Sequence, residues 1–221
     1  GGMLVDGGSF DWKAHADKYP TMATPQAYYN DLNFAEGFGA LPLGPDGAEV
    51  DIAFAIAARA FSLRDLGPAL SPFNAFMILT GCETLPLRMD KHCDNATAVA
   101  KYLSGHNKVS WVQYAGLLED KYYERGRKYC PNGAGAVFTF GLKGGHAAGV
   151  KLVENVKLFS HLANIGDTRS LIIHPSSTTH SQLSDEQKTA AGAAPDTVRL
   201  SVGIEDAADI IADLEQALAA V

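Results

Sequence analysis

The clearest hydrophobic pattern lies near the end of the chain. Val198, Leu200, Val202 and Ile204 alternate with Arg199, Ser201 and Gly203. A period of two sends alternate side chains to opposite faces of a strand, so 198–204 is predicted as a strand with one apolar face. The next segment, Asp206–Val221, carries Ala207, Ile210, Ile211, Leu214 and Leu218 on one stripe and is predicted as a helix. Ser184 with Gln187 forms a capping-box pattern for a short helix closing near Gly192. Further back, Met89, Cys93, Ala96, Ala100 and Leu103 predict a helix opened by Pro86 and ended by Gly105. Val109–Val112 and Ala136–Phe140 read as strands, Gly145–Ala163 as a helix, and Ser170–Ile173 as another short apolar run. Residues 114–134 read as a polar, aromatic loop.

The first part of the chain is less regular. Met3–Val5, ended by Asp6-Gly7-Gly8, reads as a strand and a tight turn. Residues 9–50 are rich in Pro, Gly and aromatics and read as irregular surface, with a turn-bearing insertion at Leu43–Gly47. Asp51–Leu66 is predicted as a helix, with Ile52, Ala55, Ile56, Arg59, Ala60 and Leu63 on one face and Gly67-Pro68 as its stop. Pro72–Thr80 is predicted as a buried helix. Strands and helices alternate after residue 105, which favours an α/β layer with helices packed on a small sheet.

Composition narrows the function classes. Hydrophobic residues make up 47% of the 221 residues and charged ones 19%, the profile of a globular protein with a core. A net charge of -7 without a basic stripe argues against nucleic acid as a partner, because phosphate neutralisation needs clustered Lys and Arg. No apolar run approaches the roughly 18 residues of a membrane span. The opening residues lack the basic and apolar regions of a signal peptide. Three cysteines at scattered spacings fit neither a disulfide framework nor a zinc site, and read as ordinary thiols in a cytoplasmic protein.

Four places could carry chemistry. Arg199 projects from the polar face of the last strand, where its planar fork suits a carboxylate; pairing with a structural Asp or Glu is the competing reading. Asn164 sits in the polar corner Asn164–Ser170, where its amide could meet an anion; a left-handed residue at a helix C-terminus is the alternative. His174–His180 is dense in hydroxyls, with two imidazoles six positions apart and no evident third metal ligand. It reads as a solvated loop or one beside a polar ligand. Lys143, before Gly144-Gly145-His146, superficially looks like a cofactor lysine, but no Ser/Thr phosphate pair lies beside it. No nucleotide-binding glycine motif or Ser-His-Asp set is apparent.

Three ordered runs go further. The first joins Arg64-Asp-Leu-Gly-Pro-Ala-Leu-Ser-Pro-Phe-Asn-Ala-Phe with Glu83-Thr-Leu-Pro-Leu-Arg-Met-Asp-Lys-His-Cys. The second is Ala163-Asn-Ile-Gly-Asp-Thr-Arg-Ser-Leu-Ile-Ile-His-Pro-Ser-Ser-Thr-Thr-His. The third is Val198-Arg-Leu-Ser-Val-Gly-Ile-Glu-Asp. Together they resemble the Cys/Met-metabolism family of pyridoxal 5'-phosphate (PLP)-dependent enzymes over nearly the whole chain. The Asn164-Ile-Gly-Asp-Thr-Arg corner is most similar to the O-acetylhomoserine sulfhydrylase branch.

The resemblance implies a fold-type I PLP-dependent transferase. Residues 1–85 would be the end of the large PLP-binding domain with connecting helices, and 86–221 the C-terminal small α/β domain. The implied reaction is γ-replacement on O-acetylhomoserine by sulfide or a thiol, giving homocysteine or methionine. Cystathionine γ-synthase and methionine γ-lyase chemistry are alternatives, as is a non-catalytic packing or oligomerisation domain. Arg199 would grip the substrate α-carboxylate beside Asn164, with Thr179 a further pocket residue and Arg88 structural. No catalytic residue is assigned to this chain: the Schiff-base lysine and most of the cofactor cradle are expected upstream of Gly1, in the rest of the same enzyme. No cofactor-binding residue and no metal ligand is assigned here. The intact enzyme would be a cytoplasmic homotetramer, a dimer of dimers. No role is transferred to Gly37–Val50.

Overall fold

A computed structural model describes all of Gly1–Val221. The chain divides into two compact units, Gly1–Cys82 and Glu83–Val221.

The first unit is built from short helices: α1 (Pro20–Ala23), α2 (Phe34–Phe38) and α3 (Ala53–Ala57), then α4 (Pro72–Glu83). Residues 9–50 are therefore not mere surface. Aromatic side chains let short elements bury much area per residue. Phe34, Met22, Ala53 and Ala57 form a small core, with Trp12, Tyr29, Phe38 and Phe61 packed against it. The predicted 51–66 helix exists in two parts: α3 runs directly into a π-helix, Ala58–Asp65, and Gly67 follows at φ +81°. Met3–Val5 forms no strand and its side chains are exposed, because no neighbouring segment pairs with it. The prediction for α4 was half right. It is helical, yet Phe73, Phe76 and Leu79 are all exposed.

The second unit is a two-layer α/β structure. Its sheet has the order β1-β2-β5-β4-β3, with β1 (Val109–Gln113), β2 (Val137–Leu142), β3 (Ser160–His161), β4 (Leu171–Ile173) and β5 (Thr197–Ser201). All neighbours are antiparallel except the β3–β4 pair. One face packs on three helices, α5 (Leu85–Ser104), α7 (Gly145–Asn155) and α9 (Ala207–Ala220). Two smaller helices, α6 (Tyr123–Tyr129) and α8 (Asp185–Ala190), complete the unit. Helix α6 interrupts what reads in sequence as a loop. The capping box of α8 forms as predicted, Ser184 Oγ accepting the Gln187 N–H and the Gln187 side chain accepting the Ser184 N–H.

The core contains Phe138 and Phe140 of β2, Val198 and Leu200 of β5, and Leu103, Leu152 and Leu214 of the helices. Burying each such side chain contributes about 1.5–3 kcal/mol. The period-two pattern of β5 therefore settles which face turns to the helices. Arg199 and Ser201 occupy the second face, beside Ile173 and Leu171 of β4.

Helix α7 is shorter than the predicted 145–163 segment. Asp213, on the buried side of α9, explains where it stops. Its carboxylate accepts the backbone N–H groups of Lys157 (2.8 Å) and Leu158 (2.8 Å), and more weakly that of Phe159 (3.3 Å). These donors leave the helical ladder, and Val156 is extended. The chain then runs into β3 and the 162–170 corner. Replacing Asp213 by Ala leaves the part-buried N–H groups of Lys157 and Leu158 to solvent and strands the buried one of Phe159, the last costing about 1–3 kcal/mol. Urea titration of Asp213→Ala is expected to show a loss of about 1–3 kcal/mol in unfolding free energy.

Candidate active site

The second face of the sheet carries a narrow crevice, closed to a water-sized molecule in this structure. It is lined by Arg199 and Ser201 of β5, Leu171 and Ile173 of β4, and Leu162 and Asn164 of the corner after β3. The strand alternation delivers Arg199. The termination of α7, followed by the turn into β3, delivers Asn164. Two residues 35 positions apart in sequence thus meet at one site.

Arg199 is half-buried and takes no part in the contacts that join His106 to Glu215 and Lys188 to Asp185. The structural-pair reading of this arginine therefore has no partner within the chain. A half-buried guanidinium presents its donors in a planar fork that matches a carboxylate. Asn164 is exposed and its Oδ1 accepts the Ile165 N–H at 2.9 Å. That bond uses the Oδ1 acceptor and leaves the two Nδ2 donors without a partner among the chain's hydrogen bonds. Asn164 does not end a helix, since α7 stopped at Asn155; the left-handed residue of the corner is Gly166, at φ +75°.

Ser201 also lines the crevice, and its buried hydroxyl has no hydrogen-bond partner. Sequence alternation places Ser201 on the face of Arg199, but nothing in the pattern marks it as a crevice residue.

Thr179 is not among the residues lining the crevice. It is exposed, and its hydroxyl pairs with His180 Nδ1 at 2.8 Å. His174 is fully buried and is fixed by structure. Its Nδ1 accepts from Ser177 Oγ at 2.8 Å, and its Nε2–H donates to the Pro195 carbonyl at 2.8 Å. Both ring nitrogens are thereby used, which explains the imidazole without a metal. Lys143 is exposed at the turn between β2 and α7. Neither it nor the crevice offers a cradle for a phosphorylated ring.

With this geometry in view, the comparisons with known proteins fall into place. Residues 2–219 match the family described as Cys/Met metabolism PLP-dependent enzyme. The chain belongs to that family. O-acetyl-L-homoserine sulfhydrylase of Leptospira meyeri is 50% identical over 220 residues, covering 99% of this chain and 48% of that protein. Homocysteine synthase of Schizosaccharomyces pombe is 45% identical over 218 residues, again 99% of this chain and 48% of that protein. A Campylobacter jejuni protein assigned as an O-acetylhomoserine (thiol)-lyase has a crystal structure that superposes with a TM-score of 0.78 at 39% identity. The superposition covers 92% of this chain and 45% of that one, and that structure contains a pyridoxyl-lysine monophosphate. The chain spans about half the length of the curated relatives it matches. The α/β architecture and the fold-type I resemblance agree with this neighbour. No helix is long and apolar enough to cross a membrane.

Burial holds the His174 pKa below the ordinary imidazole value of 6.5, with its bond to Pro195 and the nearby Asp196 opposing the shift only in part. The folded state therefore keeps His174 neutral, while the unfolded chain takes up a proton below about pH 6.5. Its contribution to stability is complete above that pH and is lost as pH falls toward the lowered folded value. The melting temperature is expected to fall as pH is lowered from 7.5 to 5.5, with a shallower slope in His174→Asn.

Proposed function

We propose that this chain supplies the amino-acid carboxylate grip of a PLP-dependent O-acetylhomoserine sulfhydrylase. The observation that carries the reading is an unpaired, half-buried Arg199 sharing one crevice with Asn164. Arg199 would hold the substrate α-carboxylate through two parallel charge-assisted hydrogen bonds. Asn164 Nδ2 would add a third donor and fix the rotation of the carboxylate about its axis. Holding that end rigid orients the Cα–H bond for abstraction. Thr179 stands further out as a candidate contact for the body of the substrate.

The cofactor of the family would supply an electron sink for breaking the Cγ–O bond, with acetate leaving as a carboxylate. Its ring and phosphate, and the lysine that carries it, belong to the remainder of the intact enzyme. Residues 1–85 would close the large cofactor-binding domain and 86–221 form the small one. The net reaction is replacement of acetate by sulfide or a thiol, giving homocysteine or methionine. The names of the Leptospira and Schizosaccharomyces relatives support the sulfhydrylase reading. Family resemblance also supports a cytoplasmic homotetramer, built as a dimer of dimers.

The test uses the full-length enzyme. Each lost charge-assisted bond is worth about 1.5–3 kcal/mol, and ~1.4 kcal/mol is a factor of ten. Arg199→Ala is therefore expected to raise KM for O-acetylhomoserine at least about 100-fold, with the cofactor absorbance retained. Arg199→Lys keeps the charge but not the fork and should fall between the two. Near-normal kinetics in Arg199→Ala would refute the assignment. Product analysis with sulfide, cysteine and methionine separates the sulfhydrylase from a cystathionine synthase or methionine lyase.

A further inference from the structure

Asn164 lies on an exposed corner, and an exposed corner holds a side chain in register only if its backbone is tied down. The corner's far end is Ser170, fully buried. Its backbone N–H donates to Glu205 Oε1 at 2.7 Å and its hydroxyl to Glu205 Oε2 at 2.8 Å. The same hydroxyl oxygen accepts the Gly203 N–H at 2.8 Å. Beside it the Ile204 N–H donates to the Thr168 carbonyl at 3.0 Å. The corner is thus clasped to the chain leaving β5, the strand that carries Arg199.

That chain is itself held from helix α5. His92 Nδ1–H donates to the Val202 carbonyl at 2.6 Å. Asn95 Nδ2 donates to the carbonyls of Gly203 at 3.0 Å and Glu205 at 2.7 Å. Both side chains are 1% exposed, so these bonds face little competition from water. Gly203 is required for the clasp to close. A Cβ there would lie 2.3 Å from Glu205 Oε2 and 2.5 Å from the Thr168 carbonyl oxygen.

We propose that Glu205 and Ser170 are positioning residues, which set the distance between Asn164 and Arg199 and so tune the site for a carboxylate. The inference rests on the reading of Arg199 and Asn164 given above. Glu205 touches no substrate; it acts through the corner.

The experiment compares inhibition of the full-length holoenzyme by norleucine and by its carboxamide. The ratio of the two inhibition constants reports carboxylate recognition alone, because a general loss of packing weakens both ligands alike. Glu205→Ala is expected to lower that ratio at least about 10-fold, since small misplacements of a positioned group carry effects of that size. Cofactor absorbance should be retained. Ser170→Ala should act in the same direction, and it serves as the test should Glu205→Ala fail to fold. A wild-type ratio in the folded variant, with only the melting temperature reduced, shows a purely structural clasp and overturns the proposal. Arg199→Ala separates the two ideas. A collapsed ratio there with an intact one in Glu205→Ala removes the clasp and leaves the substrate reading standing. An intact ratio in both removes the substrate reading, and the clasp with it.

Discussion

Strand β5 is the constraint on which the rest of the second unit depends. It pairs antiparallel with β2 on one side and β4 on the other, so its register is held from both edges. Val198, Leu200 and Val202 are completely buried against α5, α7 and α9. Slipping the strand by one residue would drive the Arg199 guanidinium into that core and turn three apolar side chains out. Desolvating an unpaired charge is far more costly than any ladder bond could offset. The hydrophobic face therefore fixes where Arg199 points, although no residue of that face touches the crevice. Core packing and the chemistry of the site are two sides of one alternation.

The second half of the site is placed by polar contacts instead. Asp213 of α9 collects the N–H groups of 157–159 and ends α7. Glu205, just before the same helix, collects Ser170 at the other end of the corner. Between these two carboxylates the chain makes the short strand β3 and the exposed turn bearing Asn164. A carboxylate that accepts several backbone donors works as a local substitute for a ladder. It lets an irregular segment stay ordered without regular structure. Both carboxylates flank or belong to α9, so the helix that buries Leu214 against the sheet also frames the corner.

This division explains what could be read from sequence. Elements ruled by local pattern were legible: α9 with its stripe, α8 with its capping box, β5 with its alternation, and α5 ending at Gly105. Their determinants lie within a few residues of one another. The end of α7 was not legible, because its determinant, Asp213, is more than 50 positions away from the donors it captures. The aromatic core of residues 9–50 was missed for a related reason. Phe34 and Met22 bury themselves on short helices, with too few turns to show a period. Helix α4 shows the opposite limit. Its apolar residues run all round it, which in sequence means a buried helix, yet Phe73, Phe76 and Leu79 are exposed in this chain. Pattern reports what a segment can bury, while burial depends on what is there to cover it.

The site shows the same division more sharply. Taken alone, an arginine on a strand's polar face is most simply explained by a structural carboxylate. Sequence cannot decide the matter, since the chain has 25 Asp and Glu residues to choose from. The structure commits Asp213 and Glu205 to backbone donors, Glu215 to the Tyr102 hydroxyl and Asp185 to Lys188. Arg199 is left lining a crevice with Asn164, in neither of the ion pairs formed by His106 with Glu215 and Lys188 with Asp185. Thr179, read from the same motif, points elsewhere and spends its hydroxyl on His180. Residues drawn from one family motif are therefore not equivalent. What distinguishes Arg199 and Asn164 is that two independent devices, a buried alternation and a clasped corner, converge on one crevice.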